Sequence, residues 1–344
     1  MDLPQFVGLD IGSSSIRVAQ VEYNGGKPDV TALGHTILDT PIINVNDPGT
    51  KQYVVQKIKD ALKDAGVKTD KAVAALPEAM IFSKLATVPN LEEDKLDQML
   101  YYELKNHIPV DPGDVQKDYI YLGQDTENPK LMKILIIAAP KVLVDVYRSI
   151  AEESKLSLIA LETETVALAR LSGFVVDSQK SVLIADFGFK GVDLCLVKGG
   201  KILFSQSIGT GSDSLTRAIS IDLNITHEQA ESFKMKMGLM PNEQEGKVLR
   251  TLTPIMHIIT NEITKLINYF SSTLPDFNPK SIYFLGEGAN IPGFIDYMTQ
   301  NLPIECAMLD LSKGISIQAD VKKKFPEASM LGFGVAIGLA LKKE

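Results

Sequence analysis

The chain repeats one pattern, and few folds accommodate the repeat. Near the start, FVGLDIGSSSIRVAQVEYNGGKPDVTALGH reads as an apolar strand, a tight turn at Asp10 and Gly12, a second strand, a hairpin at Gly25–Gly26–Lys27 and a third strand. In the middle, SVLIADFGFKGVDLCLVKGGKILFSQSIGTG runs the same course, with its turn at Asp186 and Gly188 and its hairpin at Gly199–Gly200–Lys201. Two glycines between β-formers are a strong hairpin signal. The offsets of the two features, 176 and 174 residues, are near-equal, which points to duplication.

Helix and strand material, not further hairpins, follows each copy, so the fold class is α/β. In the first half, KQYVVQKIKDALKDAG predicts a helix stopping at Gly66, and KAVAALPEAMIFSKLATVP predicts two short strands. A helix from Leu91 to Ile108 follows, then strands KDYIYLGQD and KLMKILIIAAP, a helix over VLVDVYRSIAEESK, the strand LSLIAL, and a helix ETETVALARLSG closed at Gly173. After the second copy, helices are expected from Ser212 to about Ile219, His227 to Met237 and Lys247 to about Ser272. The strand SIYFLG, the helix FIDYMTQNL and a closing helix ASMLGFGVAIGLALKK complete the second half. No low-complexity linker separates residues 1–170 from 171–344, the two expected units.

At 344 residues the chain has the length of about two domains. Its 45% hydrophobic and 23% charged residues are those of a folded protein and exclude disorder. A formal charge of −8 argues against a constitutive nucleic-acid or anionic-membrane surface, though not against one phosphate ligand. Cys195 and Cys306 lie in apolar stretches without metal-ligand spacing and read as small core residues of a reducing cytoplasm. The opening MDLPQFVGLD has neither a basic region nor an apolar core, so no signal peptide is expected. The apolar run from Met330 to Leu341 is short of the roughly 20 residues that cross a bilayer, so direct membrane insertion is not expected.

Chemistry concentrates at the turns. Asp10 precedes Gly12, Ser13 and Ser14, a carboxylate at a strand end followed by backbone and hydroxyls that can hold phosphate oxygens. Asp10 and Asp186, facing each other between the halves, would suit a hydrated Mg²⁺ beside a polyphosphate; each alone also suits a plain turn aspartate. GEGANIPG at 286–293 follows a strand and precedes a helix, where its glycines would let a flat adenine or its ribose lie on the backbone. Glu262 and Lys265 share one helix face and either pair with each other or reach one ligand. No G-x-x-x-x-G-K-[ST] occurs, Ile291 breaks the dinucleotide fingerprint, and the four histidines have no zinc spacing.

The Asp-x-Gly hairpin, its repeat at Asp186 and the late Gly-x-Gly-Ala element, in that order, resemble the phosphate 1, phosphate 2 and adenosine motifs of the actin-like ATPase superfamily. More narrowly, VGLDIGSSSIRVAQVE, the long ALPEAMIFSKLATVPNLEEDKLDQMLYYELKNHIPVDPGDVQKDYIYLG, THEQAESFKMKMGL, NEITKLINYF and LGFGVAIGLAL are similar to the PilM family of cytoplasmic type IV pilus assembly proteins. The resemblance implies two RNase H-like halves around a nucleotide cleft, with a small FtsA-type subdomain inserted at about 71–155. It implies ATP and Mg²⁺ as ligands, capture of the N-terminal cytoplasmic peptide of PilN, and recruitment through PilN and PilO to the inner membrane.

Carried over by position, Asp10 and Asp186 would order Mg²⁺ through water, and Gly12, Ser13, Ser14 and Arg17 would surround the phosphates. Asp186 and Gly188 would form the second phosphate loop, Gly209, Gly211 and Asp213 the turn after its hairpin, Gly286, Gly288 and Ala289 the adenosine loop, and Glu262 and Lys265 would reach the adenosine. Glu162 falls where hydrolysing members orient water, with Glu164 the fallback; both also suit acids at a helix N-terminus. Arg17 replaces a more usual lysine, and Glu287 a usual glycine. The implied function is an ATP-binding scaffold with weak or absent hydrolysis. A self-associating FtsA-like polymer and a hydrolysing enzyme are the alternatives.

Overall fold

The computed structural model describes residues 5–39, 47–91, 93–125, 128–241 and 246–343. The start expected at Leu91 for the inserted helix falls partly outside them.

In the first half, β1 (Val7–Ile11), β2 (Ser15–Asn24) and β3 (Lys27–Ile37) form an antiparallel meander, followed by α1 (Pro48–Ala65) and β4 (Lys71–Leu76). The hairpin between β2 and β3 turns on Gly25 and Gly26, with φ of 59° and 84°, a left-handed pair that matches the twist of the flanking strands. Asp47 caps α1 by accepting from the Thr50 amide, and Gly66 ends it in a left-handed conformation, as expected.

The chain then makes β5 (Phe82–Pro89), α2 (Glu93–Lys105), β6 (Val115–Gln124) and β7 (Leu131–Pro140). It returns through α3 (Lys141–Glu153), β8 (Ser157–Thr163) and α4 (Glu164–Val175). The second half holds β9 (Ser181–Phe187), β10 (Val192–Lys198), β11 (Lys201–Ile208), α5 (Ser212–Leu223), α6 (His227–Met237), α7 (Lys247–Thr273), β12 (Ser281–Leu285), α8 (Phe294–Asn301) and β13 (Glu305–Met308). It closes with β14 (Ser316–Ile317), α9 (Ala319–Lys324), α10 (Glu327–Met330) and α11 (Gly334–Ala340).

The first sheet runs β14-β3-β2-β1-β4-β8 and the second β11-β10-β9-β12-β13. In both, an antiparallel three-strand meander is extended by parallel strands beside its first member, which is the duplication seen in the sequence. α4 and α11 fill the space between the sheets, burying Leu168, Leu171, Ile337 and Leu339 against Val73 and Ala75 on one side and Ile184 and Cys195 on the other. α1 and α3 cover the outer face of the first sheet, and α5, α7 and α8 that of the second. Cys195 is buried in the central layer, and Cys306 packs at the margin of the outer one.

A third sheet, β5-β7-β6, is covered by α2 through Leu96, Leu100 and Leu104. The insert expected at about 71–155 corresponds to this unit of residues 82–140. Lys71–Leu76 pairs instead with β1 and β8, and α3 packs on the first half. Two helix ends also differ from expectation. Gly173 lies inside α4 and does not end it; it is glycine where the helix crosses the second hairpin, since a Cβ there would lie 2.8 Å from the Gly200 Cα. The closing helix is shorter than its pattern suggested: residues 331–333 tighten into a 3-10 turn before α11.

Candidate functional site

β1 and β9 both end at a cavity of about 720 Å³ between the halves. In the ladder registers, Asp10 stands opposite Arg17 and Asp186 opposite Asp193, so the repeat places Arg17 and Asp193 at corresponding points. All four side chains line the cavity, together with the Gly12–Ser14 turn, Gly188, Gly209, Gly286 and Gly288. These expected residues, dispersed over the sequence, are brought into one cleft.

The cleft is crowded with acids. Burial pushes the Asp10 carboxyl up to about 6, against the opposing pull of Arg17. Burial, with Asp193 and Asp10 nearby, raises Asp186 to about 8, and burial raises Asp193 to about 7. Glu164 is also raised by burial and by the same carboxylates, Asp193 foremost. Repulsion among buried like charges favours the protonated or the cation-bound form of such a group. Asp10 Oδ1 and Asp193 Oδ1 are buried acceptors without a hydrogen-bond partner, which suits them to accept from the waters of a hydrated cation. Among the described residues no group of three or more His, Cys, Asp or Glu is arranged to hold a metal directly.

Arg17 is the basic group in the midst of these acids. Its guanidinium lies 2.7 Å from Glu287 and 3.8 Å from Asp10, and the pairing outweighs burial to hold Glu287 below its ordinary value. Two of the expected departures from the superfamily pattern, arginine at 17 and glutamate at 287, thus meet each other across the halves. Gly332 permits it, since a Cβ there would come within 3.0 Å of Glu287 Cγ and 3.1 Å of Arg17 Nε.

On the second-half wall, the Ser212 and Asp213 amides donate to the Gly188 and Phe189 carbonyls at 3.0 and 2.9 Å, tying the loop after β9 to the start of α5. Gly211 does not line the cavity: it packs on that loop, where a Cβ would lie 2.5 Å from the Gly191 nitrogen. Asp213 supports the wall from behind, pairing with His227 at 2.9 Å and with Lys190, which lines the cleft, at 3.2 Å. Ala289 is buried beneath the adenosine-loop position. Gly286, at φ 89°, passes so close to Asp186 and Phe187 that a side chain would strike both.

Three expected residues lie elsewhere. Glu162 belongs to β8, opposite Ala75, and not to the helix; its carboxylate is fixed by Arg170 at 2.7 Å and Lys342 at 2.8 Å outside the cleft. The helix starts later because Thr163 caps it, accepting from the Val166 amide, and this puts Glu164 in the cleft. Glu262 and Lys265 pair with each other at 2.6 Å on an exposed face of α7. The same spacing recurs on α6, where Glu231 lines the cleft and the buried Lys234 bonds Glu231, Ser212 Oγ and Thr216 Oγ1. The α6 pair and Asp193 were missed; the offset of 176 from Arg17 was the available signal for Asp193.

A second groove, of about 430 Å³, lies between the first sheet and the inserted one. Consecutive residues of β8 (158–163) and β6 (116–120) line it, along with Leu76, Ile137 and Arg148. Each strand is at the edge of its sheet, pairing with β4 and β7 alone among the described residues. A third strand-sized segment entering there would meet unpaired backbone groups on both sides.

Residues 8–344 match the family model described as "Type IV pilus assembly protein PilM". The cell division protein FtsA of Enterococcus faecalis is 20% identical over 332 residues, covering 85% of this chain and 75% of its own. A solved PilM-PilN type IV pilus biogenesis complex matches with a TM-score of 0.83 at 21% identity, covering 98% of both chains. MreB5 of Spiroplasma citri bound to AMPPNP matches with a TM-score of 0.56 at 14% identity, covering 97% of this chain and 95% of that one. The architecture is accordingly the actin-like ATPase fold. Among the described residues no helix is long and apolar enough to cross a membrane.

Proposed function

Because the chain belongs to the type IV pilus assembly protein PilM family, we propose that it is an ATP-binding scaffold that captures the N-terminal cytoplasmic peptide of a PilN-type protein at the inner membrane. The observation that carries the reading is the presence of two separate cavities, a polar cleft at the two Asp-x-Gly turns and a groove between two open strand edges. ATP suits the first by size, since nucleotide-sized pockets span roughly 300–1,000 Å³. Its phosphates would lie against the Gly12–Ser14 turn, Gly188 and Gly209, and its base near Gly286, Gly288 and the α6 pair.

Mg²⁺ fits the cleft because the acids outnumber the bases there and a polyphosphate adds further negative charge. Asp10 and Asp186 would hold it through water, with Asp193 beside them; bound, it would neutralise phosphate charge. The chain's own residues do the rest. Arg17 and Lys190 supply fixed positive charge, and the glycine turns let backbone approach the ligand. Glu162 is outside the cleft, and the Glu164 carboxyl already accepts the Glu78 amide at 2.8 Å, an arrangement that favours slow hydrolysis or none. The peptide would add as a strand to β8 or β6, main-chain hydrogen bonds giving affinity and the apolar lining giving selectivity. Membrane recruitment, with PilO in the same platform, would follow through that partner.

Calorimetric titration with Mg·ATP and with a synthetic PilN-type N-terminal peptide, each with and without the other, tests the reading. Binding of both, with each altering the other's affinity by one common factor, is the expected result. ATP binding without peptide binding would leave an enzyme or filament of the same fold; sedimentation with ATP and phosphate release then separate those two.

A further inference from the structure

The nucleotide cleft and the edge-strand groove share a wall one residue thick: Thr163 lines the groove and Glu164, the next residue, lines the cleft. Glu78, 3% exposed and used by neither cavity's chemistry, sits behind this junction in the turn that leads from β4 into the inserted sheet. Its backbone amide donates to Glu164 Oε2 at 2.8 Å, and its carboxylate accepts from Thr165 Oγ1 at 2.7 Å. Thr165 Oγ1 in turn lies 3.1 Å from Thr163 Oγ1, and Glu164 lines the cleft together with Asp193 of the second half.

We propose that the Glu164–Glu78–Thr165 chain of hydrogen bonds, which starts at the wall of the cleft, is the device by which a nucleotide in the cleft sets the width of the edge-strand groove. The proposal rests on the reading of the two cavities as nucleotide and peptide sites. Both bonds to Glu78 are short, at 2.8 and 2.7 Å, and the one to its carboxylate is buried, where little solvent competes for it. The two arms of Glu78 hold the entry to the insert at both of its polar groups, so a shift of Glu164 toward a ligand in the cleft is delivered to residues 77–80 and cannot dissipate in a flexible loop. On its other flank the insert is fixed to the second half, where Ser83 Oγ donates to the Ser205 carbonyl at 2.9 Å and Ser205 Oγ lies 3.0 Å from Ser83 Oγ. The insert is therefore held at both cleft walls, and closure or opening of the halves turns β6 relative to β8.

The test uses the full chain as wild type, Thr165→Val, Thr165→Ser and Glu78→Gln, the last keeping the side-chain volume should the valine variant fail to fold. Affinity of the PilN-type peptide is measured with and without saturating Mg·AMPPNP, and hydrogen exchange of residues 77–83 is followed with and without Mg·AMPPNP alone. In the wild type the nucleotide is expected to change peptide affinity about fivefold or more, the lower end of ordinary coupling, and to change exchange at 77–83. Thr165→Val and Glu78→Gln are expected to bring the affinity ratio within about twofold of one while AMPPNP still binds, and Thr165→Ser to restore it. Coupling retained in folded Thr165→Val overturns the proposal. If the peptide binds none of the proteins, the peptide-capture reading fails, and the exchange arm still decides the relay: a response in the wild type lost in Thr165→Val supports it, and an equal response, or none, in both overturns it.

Discussion

The Arg17 guanidinium lies 2.7 Å from Glu287 and 3.8 Å from Asp10, so a phosphate arriving at the Gly12–Ser14 turn must share it with a carboxylate. Glu287→Gln removes the rival acceptor and one negative charge, and is expected to tighten Mg·ATP about 3–10-fold, roughly the 1 kcal/mol scale of a single charged hydrogen bond; a titration of both proteins at one salt concentration reads it. The buried acids set the pH dependence. Asp186 is raised from 3.8 to about 8, so the folded protein keeps a proton that the unfolded chain has released. That contribution to stability is complete below the unfolded value and is lost as pH climbs toward 8. Asp186→Asn is therefore expected to stabilise the protein without nucleotide by roughly 1–3 kcal/mol more at pH 8 than at pH 5, as measured by urea denaturation. Asp10 and Asp186 were legible because a turn motif is local. Glu231 and Lys234 were not, since Glu-x-x-Lys occurs in four of the expected helices, and spacing alone says which residues share a face but not what the face meets.

At the scale of elements, the two meanders were readable because glycine pairs and alternating strands declare a hairpin without distant information. The first boundary of the insert was hidden for the opposite reason. Lys71–Leu76 and Phe82–Pro89 look alike as short apolar strands, yet one joins β1 and the other β7, and pairing is decided far away in sequence. The start of α4 turned on a single residue: reading Glu162 as helical overlooked Thr163 as the cap, and so moved the acid that faces the cleft by two positions. α4 carries much of the central layer, with Leu168 wholly buried between the sheets. Leu168→Ala is expected to cost about 2–5 kcal/mol, against within about 0.5 kcal/mol for Ile37→Ala at a position 67% exposed; paired chemical denaturation curves make the comparison.

For the molecule as a whole, the halves do not divide the chain cleanly. β14 joins the first sheet beside β3, and α11 lies against β1, where a side chain on Gly8 would overlap the Ala336 carbonyl. Residues 1–170 alone would expose the inner faces of β1 and β4, and this fragment is expected to bind ANS and lack a near-UV CD signal where the full chain has one. The Tyr23 hydroxyl donates to the Leu341 carbonyl across 318 residues of sequence. At about 5–20 residues per second on the ribosome, the partner of β1 and β2 emerges roughly 15–60 s after they do. Throughout that interval one face of the nascent first sheet waits uncovered, so a strip made 318 residues later is the wedge that completes the first sheet begun.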